Sequence, residues 1–231
     1  VSVTNGRVPA REVVVIEDPE EVVSTATARL VDELGRVLAE QPLATIALSG
    51  GSTPWQVFAR LADAPLPWER IAVFQVDERI APAGDPARNL TQLRATLLDH
   101  VPARCHPMPV DAVDPDDVEG LAAAADAYAH ELPEAFDVIH LGLGDDGHTA
   151  SLVPGDPVLD ERDRPVAVTA PYRGHRRMTL TLPVLDRARY VLWIVTGDGK
   201  REALERLLAR DPTIPAGLVR APREVVLTTV H

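Results

Sequence analysis

His148 closes a glycine-rich segment, Gly142-Leu143-Gly144-Asp145-Asp146-Gly147-His148, that follows an apolar run. An imidazole titrates near neutrality and a carboxylate can orient it, so Asp146 and His148 read as an acid/base pair or, more plainly, as loop residues in water. The segment also satisfies the bare G-x-G-x-x-G pattern, yet a dinucleotide site is rejected. Asp145 and Asp146 would lie where the pyrophosphate must approach, and Pro154-Gly155 breaks the chain too soon for the usual long helix. No metal is expected, since H-E-x-x-H is absent and no second histidine stands at ligand spacing.

Three further segments carry candidate chemistry. Ser49-Gly50-Gly51-Ser52-Thr53-Pro54 joins an apolar run to a helix start, so its backbone N–H groups can cradle a phosphate, or simply form a capped tight turn. It is not a Walker loop, for no Gly-Lys-Ser/Thr follows, and Ser49 lacks the G-x-S-x-G elbow of a nucleophile. Asp77-Glu78-Arg79 reads as a solvated charge cluster unless its position draws it into a site. Arg176 and Arg177 offer paired N–H donors to a phosphate or carboxylate, or lie on the surface. Lys200, in Gly197-Asp198-Gly199-Lys200, is the only lysine beside 22 arginines, which suggests a place where a compact ammonium is wanted.

These segments need elements to position them. Apolar periodicity predicts strands at Val13 to Ile16, Leu43 to Leu48, Ile71 to Val76 and Phe136 to Leu141, then near Val166 to Thr169, Met178 to Leu182, Tyr190 to Val195 and Val225 to Val230. Helices are predicted after Asp18-Pro19-Glu20-Glu21, from Pro54 to Leu61, and from about Asn89 to Leu98, Asp116 to Leu132 and Lys200 to Ala209. The alternation predicts one α/β domain over residues 1–231, a doubly wound, mostly parallel sheet with helices on both faces. The segments at 49, 77 and 142 each follow the C-terminal end of a strand, the edge where ligands of open α/β sheets bind, so they should converge.

Composition narrows the classes. The 231 residues carry a formal charge of −12, which argues against a nucleic-acid surface and means that an anionic ligand must find a local positive pocket. The single thiol, Cys105, permits no intrachain disulfide. The longest apolar run, Tyr190 to Val195, is far short of a membrane span, and Val1 to Ala10 lacks the pattern of a secretory signal, so the cytoplasm is expected.

Taken in order, Ser49-Gly50-Gly51-Ser52-Thr53-Pro54, Asp77-Glu78-Arg79, Gly142-x-Gly144-x-Asp146-Gly147-His148-Thr149-Ala150-Ser151-Leu152 with Pro154-Gly155, Arg177-x-Thr179-Leu180-Thr181-Leu182-Pro183, Gly197-x-Gly199-Lys200 and Pro215-Ala216-x-Leu218 resemble the 6-phosphogluconolactonases of the pentose phosphate pathway. The resemblance spans nearly the whole chain. It implies the modified Rossmann-like sheet shared with ribose-5-phosphate isomerase and glucosamine-6-phosphate deaminase. The deaminases resemble Ile-Ala-Phe-Asn-Glu-Pro-Gly after Asp-Gly-His, where this chain has Thr149-Ala150-Ser151-Leu152-Val153-Pro154-Gly155 with no carboxylate. They also tend to Asp-Glu-Tyr in place of Asp77-Glu78-Arg79. Within the lactonases, Val153 stands where Phe is common and Arg88-Asn89-Leu90 replaces a frequent Ser-Asn-Tyr, departures that bear on the shape of the sugar pocket.

The resemblance implies a lactone-opening enzyme with His148 as general base, Asp146 beside it, Asp77 orienting the substrate, and Arg79 or backbone N–H groups of the Gly142 to Gly147 turn on the oxyanion. Ser49, Gly50, Gly51, Ser52, Thr53, Gly144, Arg177 and Lys200 would hold the phosphosugar. It implies a sugar-phosphate lactone as the small-molecule partner, other enzymes of the pathway as protein partners, and no cofactor; no nucleic acid or membrane is expected to bind, and a monomer is expected. A sugar-phosphate sensor on the same fold would need a DNA-binding segment, for which the chain has neither spare length nor basic charge.

Overall fold

The computed structural model describes residues 11–111 and 113–230; Val1 to Ala10, read above for a secretory signal, lies outside them. In chain order the strands are β1 (Arg11–Val15), β2 (Ala44–Leu48), β3 (Ile71–Gln75), β4 (Asp77–Arg79), β5 (Arg104–His106), β6 (Val138–Gly142), β7 (Val166–Val168), β8 (Arg177–Leu180), β9 (Tyr190–Val195) and β10 (Glu224–Thr228). The helices are α1 (Pro19–Glu40), α2 (Ser52–Ala62), α3 (Asn89–Leu93), α4 (Val118–Ala129), α5 (Leu182–Arg187), α6 (Arg201–Leu208) and α7 (Pro215–Leu218).

Seven strands form one sheet in the order β1-β10-β9-β6-β2-β3-β5, and every neighbouring pair is parallel. From β2 the chain winds outward through β3 to β5, then returns to β6 on the other side of β2 and winds outward again through β9 and β10. The crevice between β2 and β6 is therefore the switch point, where helices leave the two strands in opposite directions. The expected doubly wound α/β sheet is present.

Alternation along each strand divides the core between the two faces. In β9, Tyr190, Leu192 and Ile194 join α1 and α2 on one face, while Val191, Trp193 and Val195 join α4, α5 and α6 on the other. α1 is built for this role: the Asp18 carboxylate accepts from the Glu20 N–H, Pro19 opens the first turn, and Val22, Ala26, Leu30, Leu34 and Val37 bury one stripe. No helix among the described residues is long and apolar enough to cross a membrane.

The structure corrects several sequence readings. Asp77-Glu78-Arg79 is not a solvated cluster but β4, which pairs antiparallel with β8 in a second sheet ordered β4-β8-β7. Three consecutive charges show no apolar alternation, so periodicity cannot reveal such a strand. β5 and the short helices α5 and α7 were also not predicted. The strand expected to reach Leu182 ends at Leu180, because Pro183 starts α5 in its first turn. The helix predicted from Asn89 to Leu98 is α3 followed by a π-helical turn, Arg94–Leu98.

His140 on β6 lies below the crevice, edge-on to Phe58 of α2 at 5.5 Å between ring centroids. Burial pushes its pKa down to about 3, and the Ser49 backbone offsets this only in part. The ring is thus neutral in the fold but free to protonate near 6.5 when unfolded. The unfolded chain binds the extra proton, so this contribution to stability is complete above about pH 6.5 and is lost as pH falls toward 3. His140→Leu should therefore lose less melting temperature than the wild type between neutral and mildly acidic pH. Equal losses would contradict the assignment.

Candidate active site

The crevice gathers loops from four strand ends. After β2, Ser49-Gly50-Gly51 leads into the N-terminus of α2, whose unpaired N–H groups and dipole favour an anion. A Cβ at Gly50 would lie 2.3 Å from Asn89 Oδ1 and 2.9 Å from Trp55, so only glycine lets the loop pass here. The hydroxyls of Thr53 and Thr196 meet at 2.7 Å, tying this loop to the end of β9.

β4 supplies two buried carboxylates with different tasks. Asp77 Oδ1 accepts from Ser49 Oγ at 3.3 Å and from Asn89 Nδ2 at 3.3 Å, and its Oδ2 accepts from Ser151 Oγ at 2.6 Å. It fixes three segments and still borders the cavity. Glu78 points away from the cavity. It accepts from the backbone N–H groups of Arg79, Asn89 and Leu90 and from Gln75 Nε2, all within 2.8 Å, and pairs with buried Arg88 at 3.4 Å. Arg88 also pairs with Asp111. Asn89, seated in this way, accepts from Arg79 Nη1 at 2.9 Å; the same nitrogen donates to Ala87 O at 2.7 Å.

The turn after β6 presents the imidazole. Gly144 N–H donates to His148 O at 2.8 Å, and Thr149 Oγ1 donates to Gly142 O at 2.9 Å. Gly147 has φ +83° and its missing Cβ leaves room for Ile214, while its carbonyl accepts from Ala216 of α7 at 3.1 Å. His148 Nδ1 lies 2.6 Å from Asp146 Oδ1, which also accepts from the His148 backbone N–H at 3.1 Å. Burial alone would raise the Asp146 pKa, but the hydrogen bonds from His148 and Tyr172 outweigh it and hold the value at about 2. An ionised carboxylate only accepts, so neutral His148 carries its proton on Nδ1 and keeps the Nε2 lone pair available.

Of the twelve residues that the resemblance assigns to the site, Ser49, Gly50, Gly51, Ser52, Thr53, Asp77, Arg79, Gly144, His148, Arg177 and Lys200 border one cavity of about 260 Å³, and Asp146 stands directly behind His148. Arg176 does not join them; it turns toward Thr169 O, into a separate cavity beside α4 and β7. Arg88 and Val153, the two departures from the lactonase pattern, do not border the cavity. Asn89, Ser151, Tyr172, Arg173 and Thr196 were not singled out. Asn89 and Ser151 are polar residues whose role depends on a buried carboxylate far away in sequence, and no spacing rule signals that.

The electrostatics are local. Lys200 Nζ and Arg173 lie 4.0 and 3.4 Å from Asp145 Oδ1 at the rim, and buried Arg177 stands near Asp77. Burial pulls the Arg177 pKa down and Asp77 pulls it back up. Among the described residues no group of three or more His, Cys, Asp or Glu side chains could hold a metal ion.

A family model described as glucosamine-6-phosphate isomerases/6-phosphogluconolactonase matches residues 17–228. The chain belongs to this family. A 6-phosphogluconolactonase of Synechocystis is 38% identical over 228 residues, covering 94% of each chain. The crystal structure of a 6-phosphogluconolactonase from Thermotoga maritima superposes with a TM-score of 0.86 at 27% identity, covering 95% of this chain and 99% of that one. A monomeric glucosamine-6-phosphate deaminase shares the fold, with a TM-score of 0.78 at 20% identity over 94% of this chain and 97% of its own. The chain is an enzyme of this glucosamine-6-phosphate isomerase/6-phosphogluconolactonase family.

A Cβ on Gly144 would fall 2.0 Å from His148 Nδ1 and 2.7 Å from Asp146 Oδ1. Gly144→Ala should therefore force the imidazole off the carboxylate while the sheet stays intact. A crystal structure of the variant is expected to show the His148–Asp146 bond broken; an unmoved ring would refute this account of the turn.

Proposed function

We propose that this chain hydrolyses 6-phospho-D-glucono-1,5-lactone to 6-phospho-D-gluconate, with His148 as the base that activates water. The observation that carries the reading is the 2.6 Å contact between His148 Nδ1 and ionised Asp146, which leaves Nε2 as the proton acceptor. The phosphate would rest on the Gly50 to Thr53 backbone at the start of α2, with Arg177 and Lys200 as counter-charges. Asp77, held by Ser49, Asn89 and Ser151, would orient the sugar at its reacting end.

The steps balance without a metal or a covalent enzyme intermediate. Nε2 takes a proton from water as the water oxygen bonds to C1, and the carbonyl electron pair moves onto oxygen. Arg79 is the favoured partner for that oxyanion, because Asn89 and the Ala87 carbonyl hold its guanidinium at the cavity wall. Collapse breaks the bond from C1 to the ring oxygen, which leaves with the proton from His148. The new acid then loses its own proton to water.

Deamination is the rival within the family. The resemblance places a glutamate of the deaminases within the stretch matching Thr149 to Gly155, which here holds no carboxylate. That absence supports hydrolysis over ring-opening isomerisation.

The test follows lactone freshly made from glucose 6-phosphate, with spontaneous opening subtracted. Wild type should show a large excess rate, and His148→Ala should lower kcat by roughly 10²–10⁴ with little change in product affinity. Lys200→Ala should instead raise KM about 10- to 100-fold, the worth of a charge-assisted hydrogen bond. No excess rate in the wild type, together with ammonia release from glucosamine 6-phosphate, would favour the deaminase.

A further inference from the structure

Tyr172 touches both halves of the site from outside the motifs that define it. It opens a two-residue hairpin turn between β7 and β8, with mutual backbone hydrogen bonds to His175 at 2.9 and 3.2 Å. Both central residues, Arg173 at φ +48° and Gly174 at φ +86°, are left-handed, the geometry that matches the twist of paired strands. The turn swings the phenol over the loop after β6. Its hydroxyl donates to Asp146 Oδ2 at 2.9 Å, while Oδ1 of the same carboxylate takes both His148 contacts. With an oxygen fixed on each side, the carboxylate cannot rotate away from the imidazole. The ring meets His148 edge-on, with centroids 5.6 Å apart at 64°. On its face sit two cations, with the guanidinium carbons of Arg173 and Arg177 at 5.1 and 5.2 Å from the centroid.

We infer that Tyr172 is a positioning residue with two separable parts. Its hydroxyl locks Asp146 and thereby the Nδ1–H tautomer of His148, and its ring face seats the Arg177 guanidinium at the cavity where a phosphate would bind. The inference rests on the lactonase reading for the phosphate and the kinetic consequences, but not for the contacts of Tyr172 with Asp146 and Arg177. Tyr172 exchanges no proton with the substrate; it acts on turnover through Asp146 and on binding through Arg177. The alternative is that the tyrosine merely anchors the hairpin, in which case hydroxyl and ring have no separate effects.

The experiment compares wild type, Tyr172→Phe and Tyr172→Leu in the full chain. Three quantities are measured: kcat and KM for the lactone, the affinity for inorganic phosphate by calorimetry, and the His148 tautomer from the ¹⁵N shifts of histidine-labelled protein, assigned with His148→Asn. Tyr172→Phe should lower kcat about 3- to 10-fold, leave KM and phosphate affinity unchanged, and move the His148 nitrogens toward a mixture of tautomers. Tyr172→Leu should show the same kcat loss and also weaken phosphate binding by about 2- to 5-fold. A Tyr172→Phe protein with unaltered kcat and tautomer would overturn the inference. So would two variants that change kcat and KM alike while the tautomer stays fixed, the pattern of a hairpin anchor. An inactive wild type would refute the lactonase reading alone, because the tautomer of His148 in Tyr172→Phe still decides the role of the hydroxyl.

Discussion

Asp77 and Glu78 are adjacent carboxylates buried in β4, and a buried charge is tolerated only when its oxygens are saturated with donors. That requirement organises the site. Satisfying Glu78 calls for the Asn89 and Leu90 N–H groups at the start of α3, together with Gln75 and Arg88; satisfying Asp77 calls for Ser49, Asn89 and Ser151. The donors come from the loop after β2, from the end of β3, from Arg88 and the start of α3, and from the loop after β6. The polar groups thereby pull together segments that the sheet alone would leave merely close. The orientation of Arg79 follows from the same network, since Asn89 holds its guanidinium.

The sheet sets the place where this happens. Because β2 and β6 are neighbours whose connections wind away in opposite directions, the loops beyond their C-terminal ends have no helix between them and can line one crevice. The protein as a whole carries −12, yet the crevice presents the four cations Arg79, Arg173, Arg177 and Lys200 and the start of α2 against two carboxylates, Asp77 and Asp145. At physiological salt the screening length is about 8 Å, so a phosphate within the crevice responds mainly to these near groups. The surplus acidic charge of the surface bears on encounter more than on the bound state.

Much of this was legible in the residues. Helical and alternating periodicity located α1, β2, β3, β6 and β9, and glycine-rich segments after three strands marked the edge where the ligand belongs. What stayed hidden shares a cause. β4 is written in charges, and its strand character exists only because β8 and the buried donors supply partners from distant parts of the chain. Asn89, Ser151 and Tyr172 are likewise defined by what they touch: a carboxylate in β4 for the first two, and Asp146 for the third. Arg177 was readable as a cation at the site, whereas its neighbour Arg176 differs only in facing the other side of the hairpin, a distinction that register decides.

These constraints meet at His148. Ionised Asp146 confines its proton to Nδ1, and the narrow turn at Gly144 and Gly147 fixes the ring at the cavity wall. We propose that Nε2 removes a proton from water as the water attacks the lactone. The most direct measurement is the single-turnover rate of lactone opening in H₂O and in D₂O, where product release plays no part. Proton transfer in the attacking step predicts clearly slower opening in D₂O. Equal rates in the two solvents would contradict general-base attack by water.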